Sequence, residues 1–107
     1  MKDDTLYVEQ MLDAAEKIAT FPRNVPFAAF EQNQEKQSAV ILQLAIIGEL
    51  SKRLSEKFKG RAALPWREIA GFRDRAVHDY LSLDVDAVWK TVEEDIPALI
   101  AALKEHA

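Results

Sequence analysis

The stretch Ala39-Val40-Ile41-Leu42-Gln43-Leu44-Ala45-Ile46-Ile47-Gly48-Glu49-Leu50 decides the fold. It shows no apolar–polar alternation between hairpin turns, so it does not read as a strand. At helical spacing Ala39, Val40, Leu44, Ile46, Ile47 and Leu50 form one wide apolar face, which Leu54 and Phe58 prolong. Ile41, Leu42 and Ala45 lie on the far side, with Gly48 beside them. A helix apolar on both sides is either central in a bundle or buried in a dimer. The pattern predicts a helix from about residue 33 to 58, ending before Gly60. Gly48 lowers helix stability by ~1 kcal/mol relative to Ala, and a close backbone approach would explain its presence. Gln43 falls within the core face and needs a hydrogen-bond partner if buried.

Working outward, Asp3 or Asp4 can cap a first helix reaching about Ala19. Leu6, Val8, Met11, Leu12, Ala15 and Ile18 give that helix one apolar stripe. Phe21 to Pro26 reads as a loop closed to helix growth by Pro22 and Pro26. Phe27 to Phe30 reads as a short apolar turn that plugs the core. After the linker Lys59 to Leu64, Pro65 suits the first turn of a third helix running from about Trp66 to Asp79 or Tyr80. Asp84 or Asp86 caps a fourth, whose stripe of Val85, Val88, Trp89, Val92, Ile96, Leu99, Ile100 and Leu103 continues across Pro97. A stripe that survives a proline implies a kink, not a new domain. The expectation is a single all-α domain over residues 1–107: an antiparallel bundle of four main helices, the last kinked near Pro97.

Composition removes several function classes. The 107 residues suffice for one core, and 49% are hydrophobic. There is no cysteine, hence no disulfide and no thiolate metal site, which suits a reducing cytoplasm. The acidic start Met1-Lys2-Asp3-Asp4 does not resemble a signal peptide, and no apolar run has the length of a membrane span. These features predict a cytoplasmic protein with no membrane partner. The net charge of −4 argues against broad, unspecific nucleic-acid binding. Its distribution is uneven, however. Lys52 to Arg75 carries a balance of +5, and the rest of the chain −9. That basic zone is either a solvated surface or a phosphate-facing patch.

The basic zone runs into Arg73-Asp74-Arg75-Ala76-Val77-His78-Asp79-Tyr80. On a continuous third helix, Arg73 and Tyr80 fall about 20° apart in the middle of the apolar arc. A guanidinium there is costly unless paired. It can snorkel to the helix edge, pair with a carboxylate such as Glu49, or line a cleft between subunits and await an anion. Tyr80, at a helix end, reads as a half-buried residue with a hydrogen-bonded hydroxyl. His78 is the only internal histidine and the obvious proton-transfer group near neutral pH. Asp74, one turn earlier, is placed to hold its imidazole; the plainer alternative is an exposed histidine with a helical neighbour. Arg73 and His78 diverge by about 140° on a regular helix. They meet on one phosphate only if the helix distorts near His78 or if two chains combine. One usable histidine per chain makes a symmetric dimer the natural source of both the base and the acid needed for 2′-hydroxyl attack. One internal histidine cannot build a histidine-rich metal site, and no glycine-rich phosphate loop is present. Glu93-Glu94-Asp95 reads as a solvated helix face.

The pattern Arg73-x4-His78-x-Tyr80 resembles the R-x4-H-x-Y motif of HepT-like toxins in the HEPN superfamily. Further stretches resemble the same family: Ile46-Ile47-Gly48-Glu49, Leu64 to Gly71, Asp84 to Trp89, and Asp95-Ile96-Pro97. The resemblance implies a HEPN-like, homodimeric, metal-independent endoribonuclease that uses no cofactor and cuts RNA, with tRNA a candidate class, at a composite dimer-cleft site. Arg73 and His78 map onto its catalytic pair, with Asp74, Glu49 and Arg75 as supporting residues. Tyr80 matches the tyrosine that an MntA-type nucleotidyltransferase antitoxin modifies with AMP. A non-enzymatic HEPN subunit that binds such a nucleotidyltransferase and shares its nucleotide site is the alternative. Asp74 and Asp79 stand where the family often has Asn and Gly, and Leu81-Ser82 where it often has Phe-Gly. Carboxylates beside a phosphate site weaken RNA binding.

Overall fold

The computed structural model describes residues 4–20, 26–82 and 84–106. Among these residues every regular element is helical, as the sequence predicts. The elements are α1 (Asp4–Thr20), α2 (Phe27–Glu31), α3 (Gln34–Ser51), α4 (Glu56–Arg61), α5 (Trp66–Ala70), α6 (Phe72–Leu81), α7 (Val85–Lys90), a π-helical turn (Thr91–Asp95) and α8 (Ile96–His106). This division is finer than four main helices. Asp3 and most of the Phe21–Pro26 loop lie outside the described residues.

α3 is the centre of the molecule. It packs against α1 on one side and against α5 and α6 on the other, while α8 closes over α1. Val40, Leu44, Ile47 and Ser51 form its most deeply buried line, the three-and-four spacing that keeps side chains on one face. Val8, Met11, Ala15 and Ile18 meet it from α1, and Ile96, Leu99 and Leu103 complete the core from α8. The far side of α3 is only partly covered: Leu42 remains 58% exposed, and Ile46, placed on the core face by the sequence pattern, is exposed as well. No helix among the described residues is long and apolar enough to cross a membrane.

The helix expected to reach Phe58 ends at Ser51. The Ser51 hydroxyl donates to the Gly48 carbonyl at 2.7 Å, and Arg53 N–H donates to Leu50 O at 2.9 Å, tightening the last turn. Ser55 then caps α4 by accepting from Phe58 N–H at 3.1 Å. The Asp4 carboxylate fixes this corner by accepting from Ser55 N–H at 2.9 Å and from its hydroxyl at 2.6 Å. Two serines that compete for local backbone groups break the helix although its apolar period continues.

Gly48 fulfils the close approach inferred from its position. A Cβ there would lie 3.1 Å from the Ala70 carbonyl oxygen and 3.3 Å from that of Ile69. The glycine therefore lets α3 touch the backbone of α5. Phe30 plugs the core as expected, with its ring 4.8 Å from that of Trp89. The buried amide of the region is Gln37, whereas Gln43 is only half-buried. Gln37 Nε2 donates to Phe30 O at 2.9 Å and to Glu31 O at 3.0 Å, satisfying carbonyls at the end of α2.

Asp84 caps α7 by accepting from Ala87 N–H at 3.2 Å. The irregularity expected near Pro97 takes the form of the π-helical turn Thr91–Asp95, which ends two residues before it. A proline removes one backbone donor, and its ring crowds the carbonyl four residues back; a wider turn accommodates both effects.

Candidate functional site

The Arg73 to Tyr80 motif does not sit on one continuous third helix. The chain is α-helical over Trp66–Ala70, turns at Gly71 and resumes as α6. Gly71 N–H donates back to Arg67 O at 3.2 Å and Glu68 O at 3.1 Å, and Arg75 N–H starts the new helix by donating to Gly71 O. Phe72 and Ala76 are the buried line of α6, and Arg73, which the continuous wheel places in the middle of the apolar arc, lies outside that line.

Arg73 is consequently exposed, with 63% of its side chain accessible. Its Nη1 donates to Asp74 Oδ1 at 3.1 Å. The pairing with Glu49, one of the three arrangements the sequence allows, does not occur; Glu49 Oε1 lies 3.9 Å from Lys52 Nζ. Both pairs nevertheless border one cleft between the end of α3 and the start of α6. This cleft of 280 Å³ is lined by Ala45, Ile46, Glu49, Lys52, Ala70, Arg73 and Asp74. Sequence reasoning had placed Glu49 beside Arg73 and missed Lys52. The basic zone was its only signal, and that zone did not say which cation faces the cleft.

His78 is 81% exposed. Asp74, assigned to hold its imidazole, is engaged by Arg73 instead. The carboxylate beside His78 is that of Asp79, with Oδ1 3.7 Å from Nδ1. Tyr80 is half-buried, as expected of a tyrosine at a helix end. α6 remains α-helical through Leu81, with Ser82 N–H donating to His78 O at 3.0 Å. No distortion therefore brings Arg73 and His78 together within one chain; they diverge around a regular helix by about 140°.

Arg75 points away from the cleft. Its Nη2 lies 3.7 Å from Asp95 Oδ2, and its guanidinium stacks over the Phe72 ring at 5.3 Å from the centroid. It ties α6 to the π-helical turn. Glu93 and Glu94 are exposed, in keeping with a solvated face. Among the described residues, no group of three or more His, Cys, Asp or Glu side chains is arranged to hold a metal ion.

Two exposed motif residues on a short helix beside a cleft do not by themselves name a protein. Comparison with known proteins does: the family described as Ribonuclease HepT-like matches residues 11–106. The chain belongs to that family. It is 45% identical over 94 residues to "Probable ribonuclease HepT" of Thermococcus cleftensis, covering 87% of this chain and 86% of the relative. It is 32% identical over 106 residues to "Putative RNase TTE0752" of Caldanaerobacter subterraneus subsp. tengcongensis, covering 98% and 95%. It is 30% identical over 99 residues to "Putative RNase MJ1380" of Methanocaldococcus jannaschii, covering 92% and 91%. No solved structure matches the chain at a significant level.

Within this HepT-like chain, the stretches around the motif have structural tasks. Gly48 sets the contact of α3 with α5. Trp66 Nε1 donates to Lys59 O at 3.1 Å and Ala62 O at 3.0 Å, holding the linker against the entry to α5. Asp95 receives Arg75. These contacts hold α6 in place while Arg73 and His78 remain exposed.

Proposed function

We propose that this protein is a metal-independent endoribonuclease that cuts RNA by 2′-hydroxyl attack at a site shared between two copies of the chain. The observation that carries this reading is the placement of Arg73 and His78: both exposed, both on one undistorted helix, and facing different directions. His78 is the exposed histidine of the described residues and does not line the Arg73 cleft, while His106 is half-buried at the end of α8. Two chains related by a twofold axis supply two of each. The exposed Leu42 on the partly uncovered side of α3 supports such an assembly. The family membership and the names of the relatives agree with ribonuclease chemistry.

In this mechanism Arg73 holds the scissile phosphate and stabilises the charge that develops on it. One His78 accepts the proton of the 2′-hydroxyl as the 2′-oxygen attacks phosphorus. The His78 of the partner copy gives a proton to the departing 5′-oxygen. The products are a 2′,3′-cyclic phosphate and a 5′-hydroxyl end. tRNA is the substrate class on family resemblance.

The same reading makes the protein the toxin of a toxin–antitoxin pair, silenced when an MntA-type nucleotidyltransferase transfers AMP to Tyr80. Tyr80 is seven residues from Arg73, on the same side of α6 and about 10 Å along it. A phosphate-bearing adduct there would repel RNA from the Arg73 side and occupy its path.

The deciding experiment is cleavage of labelled tRNA by wild type, Arg73→Ala and His78→Ala, repeated over a dilution series with mass photometry. Both variants should lose at least about 100-fold in rate while retaining the fold. Activity per chain should fall where the dimer dissociates. Full activity in a dilute monomer would refute the shared site. Mass spectrometry of Tyr80 after co-expression with the nucleotidyltransferase tests the switch, and an unmodified tyrosine under full neutralisation would refute it.

A further inference from the structure

We propose that Lys52 is a second phosphate-binding residue of the Arg73 cleft, contacting a phosphate of the RNA strand next to the one held by Arg73. The inference deepens the ribonuclease reading and rests on it. The cleft has an apolar floor of Ala45, Ile46 and Ala70, and a cation on each rim. Arg73 comes from α6; Lys52 comes from the residue that ends α3. Gly48 lets α3 lie close to the backbone of α5 at Ala70, three residues before Arg73, and α3 also packs against α6. The main chain at Lys52 is fixed from both sides by the Ser51–Gly48 and Arg53–Leu50 hydrogen bonds. Its side chain is 59% exposed on a flexible stem, and an ammonium acts as a point charge that adapts to a phosphate where a guanidinium demands a fixed fork.

Each cation is paired with one carboxylate at the cleft, Lys52 with Glu49 and Arg73 with Asp74. Both pairs are exposed, and exposed ion pairs are weak in water. A phosphodiester, which brings its own charge, can replace the carboxylates without leaving a buried charge unpaired. Arg53 and Lys57, which follow Lys52 in the basic stretch of the sequence, are exposed as well. The ligand is thus single-stranded RNA, bound through at least two phosphates by residues of two separate helices.

The test is fluorescence anisotropy with a short single-stranded 2′-O-methyl oligoribonucleotide, which binds but cannot be cut by 2′-oxygen attack. Wild type, Lys52→Gln, Lys52→Arg and Arg73→Ala are compared over a salt series, with urea unfolding to confirm the fold. Lys52→Gln should weaken binding about fivefold and reduce the slope of log K against log salt by ~0.7, the share of one phosphate contact on a single strand. Lys52→Arg should restore both. A Lys52→Gln protein with wild-type affinity and slope, beside an Arg73→Ala protein that binds weakly, overturns the role of Lys52 and leaves the ribonuclease reading standing. A wild-type protein that binds no RNA overturns both.

Discussion

Asp79 Oδ1 lies 3.7 Å from His78 Nδ1, closer to the imidazole than the sequence-assigned Asp74, whose carboxylate receives Arg73 instead. The two aspartates that depart from the family pattern are therefore not equivalent. Asp79 stands behind the proposed proton-transfer group, and Asp74 restrains the proposed phosphate-binding group. Asp79 is only 25% exposed, and its backbone carbonyl accepts from Asp84 N–H at 2.7 Å, so its position at the end of α6 is fixed.

A carboxylate on the Nδ1 side favours the tautomer that leaves Nε2 free to face substrate. Asp79→Ala should slow RNA cleavage about tenfold without weakening RNA binding, since it removes a negative charge. Long-range nitrogen–proton NMR should show the neutral imidazole of His78 shifting away from the Nδ1–H form. An unchanged tautomer with an unchanged rate would remove Asp79 from the mechanism.

Asp74→Asn should act in the opposite direction on binding. It frees Arg73 from an exposed pair of the kind worth about 0.2–1 kcal/mol. RNA affinity should rise up to about fivefold, measured by anisotropy at fixed salt, with little change in thermal stability. Weaker binding would mean that Asp74 orients the guanidinium more than it competes for it.

Gly48 tests whether the contact of α3 with α5 matters. Its replacement by Ala gains ~1 kcal/mol of helix propensity but forces a Cβ to 3.1 Å from a backbone carbonyl. Those effects oppose each other, so Gly48→Ala should change little. Gly48→Val adds bulk without that gain and should lower the urea unfolding free energy by about 1–3 kcal/mol.

Gln37 makes a sharper stability prediction. Gln37→Leu keeps the bulk but removes the two hydrogen bonds that its amide donates to the carbonyls of Phe30 and Glu31. The expected cost is about 1–3 kcal/mol, read from the shift of the urea midpoint. RNA cleavage at low temperature should be preserved, because neither carbonyl borders the Arg73 cleft.

The sequence by itself determined that the chain is all-helical, that residues 39–50 form its central helix, that Gly48 marks a close approach, and that Arg73, His78 and Tyr80 form the motif. Those features are written in residue type and short-range period, which a sequence states directly. The tertiary structure alone decided where the helices break and what the motif residues touch. The apolar period runs unbroken through Ser51, yet Ser51 and Ser55 capture backbone groups and Asp4, fifty-one residues away from Ser55, fixes the corner. A wheel drawn on one continuous helix puts Arg73 in the middle of the apolar arc, yet the buried residues of α6 are Phe72 and Ala76 and Arg73 is exposed, because burial depends on which neighbours cover each side of a helix. Lys52 and Arg73 line one cleft because α3 packs against α5, through Gly48, and against α6. That encounter depends on the packing of two helices, and helix packing is not encoded in the spacing of either one.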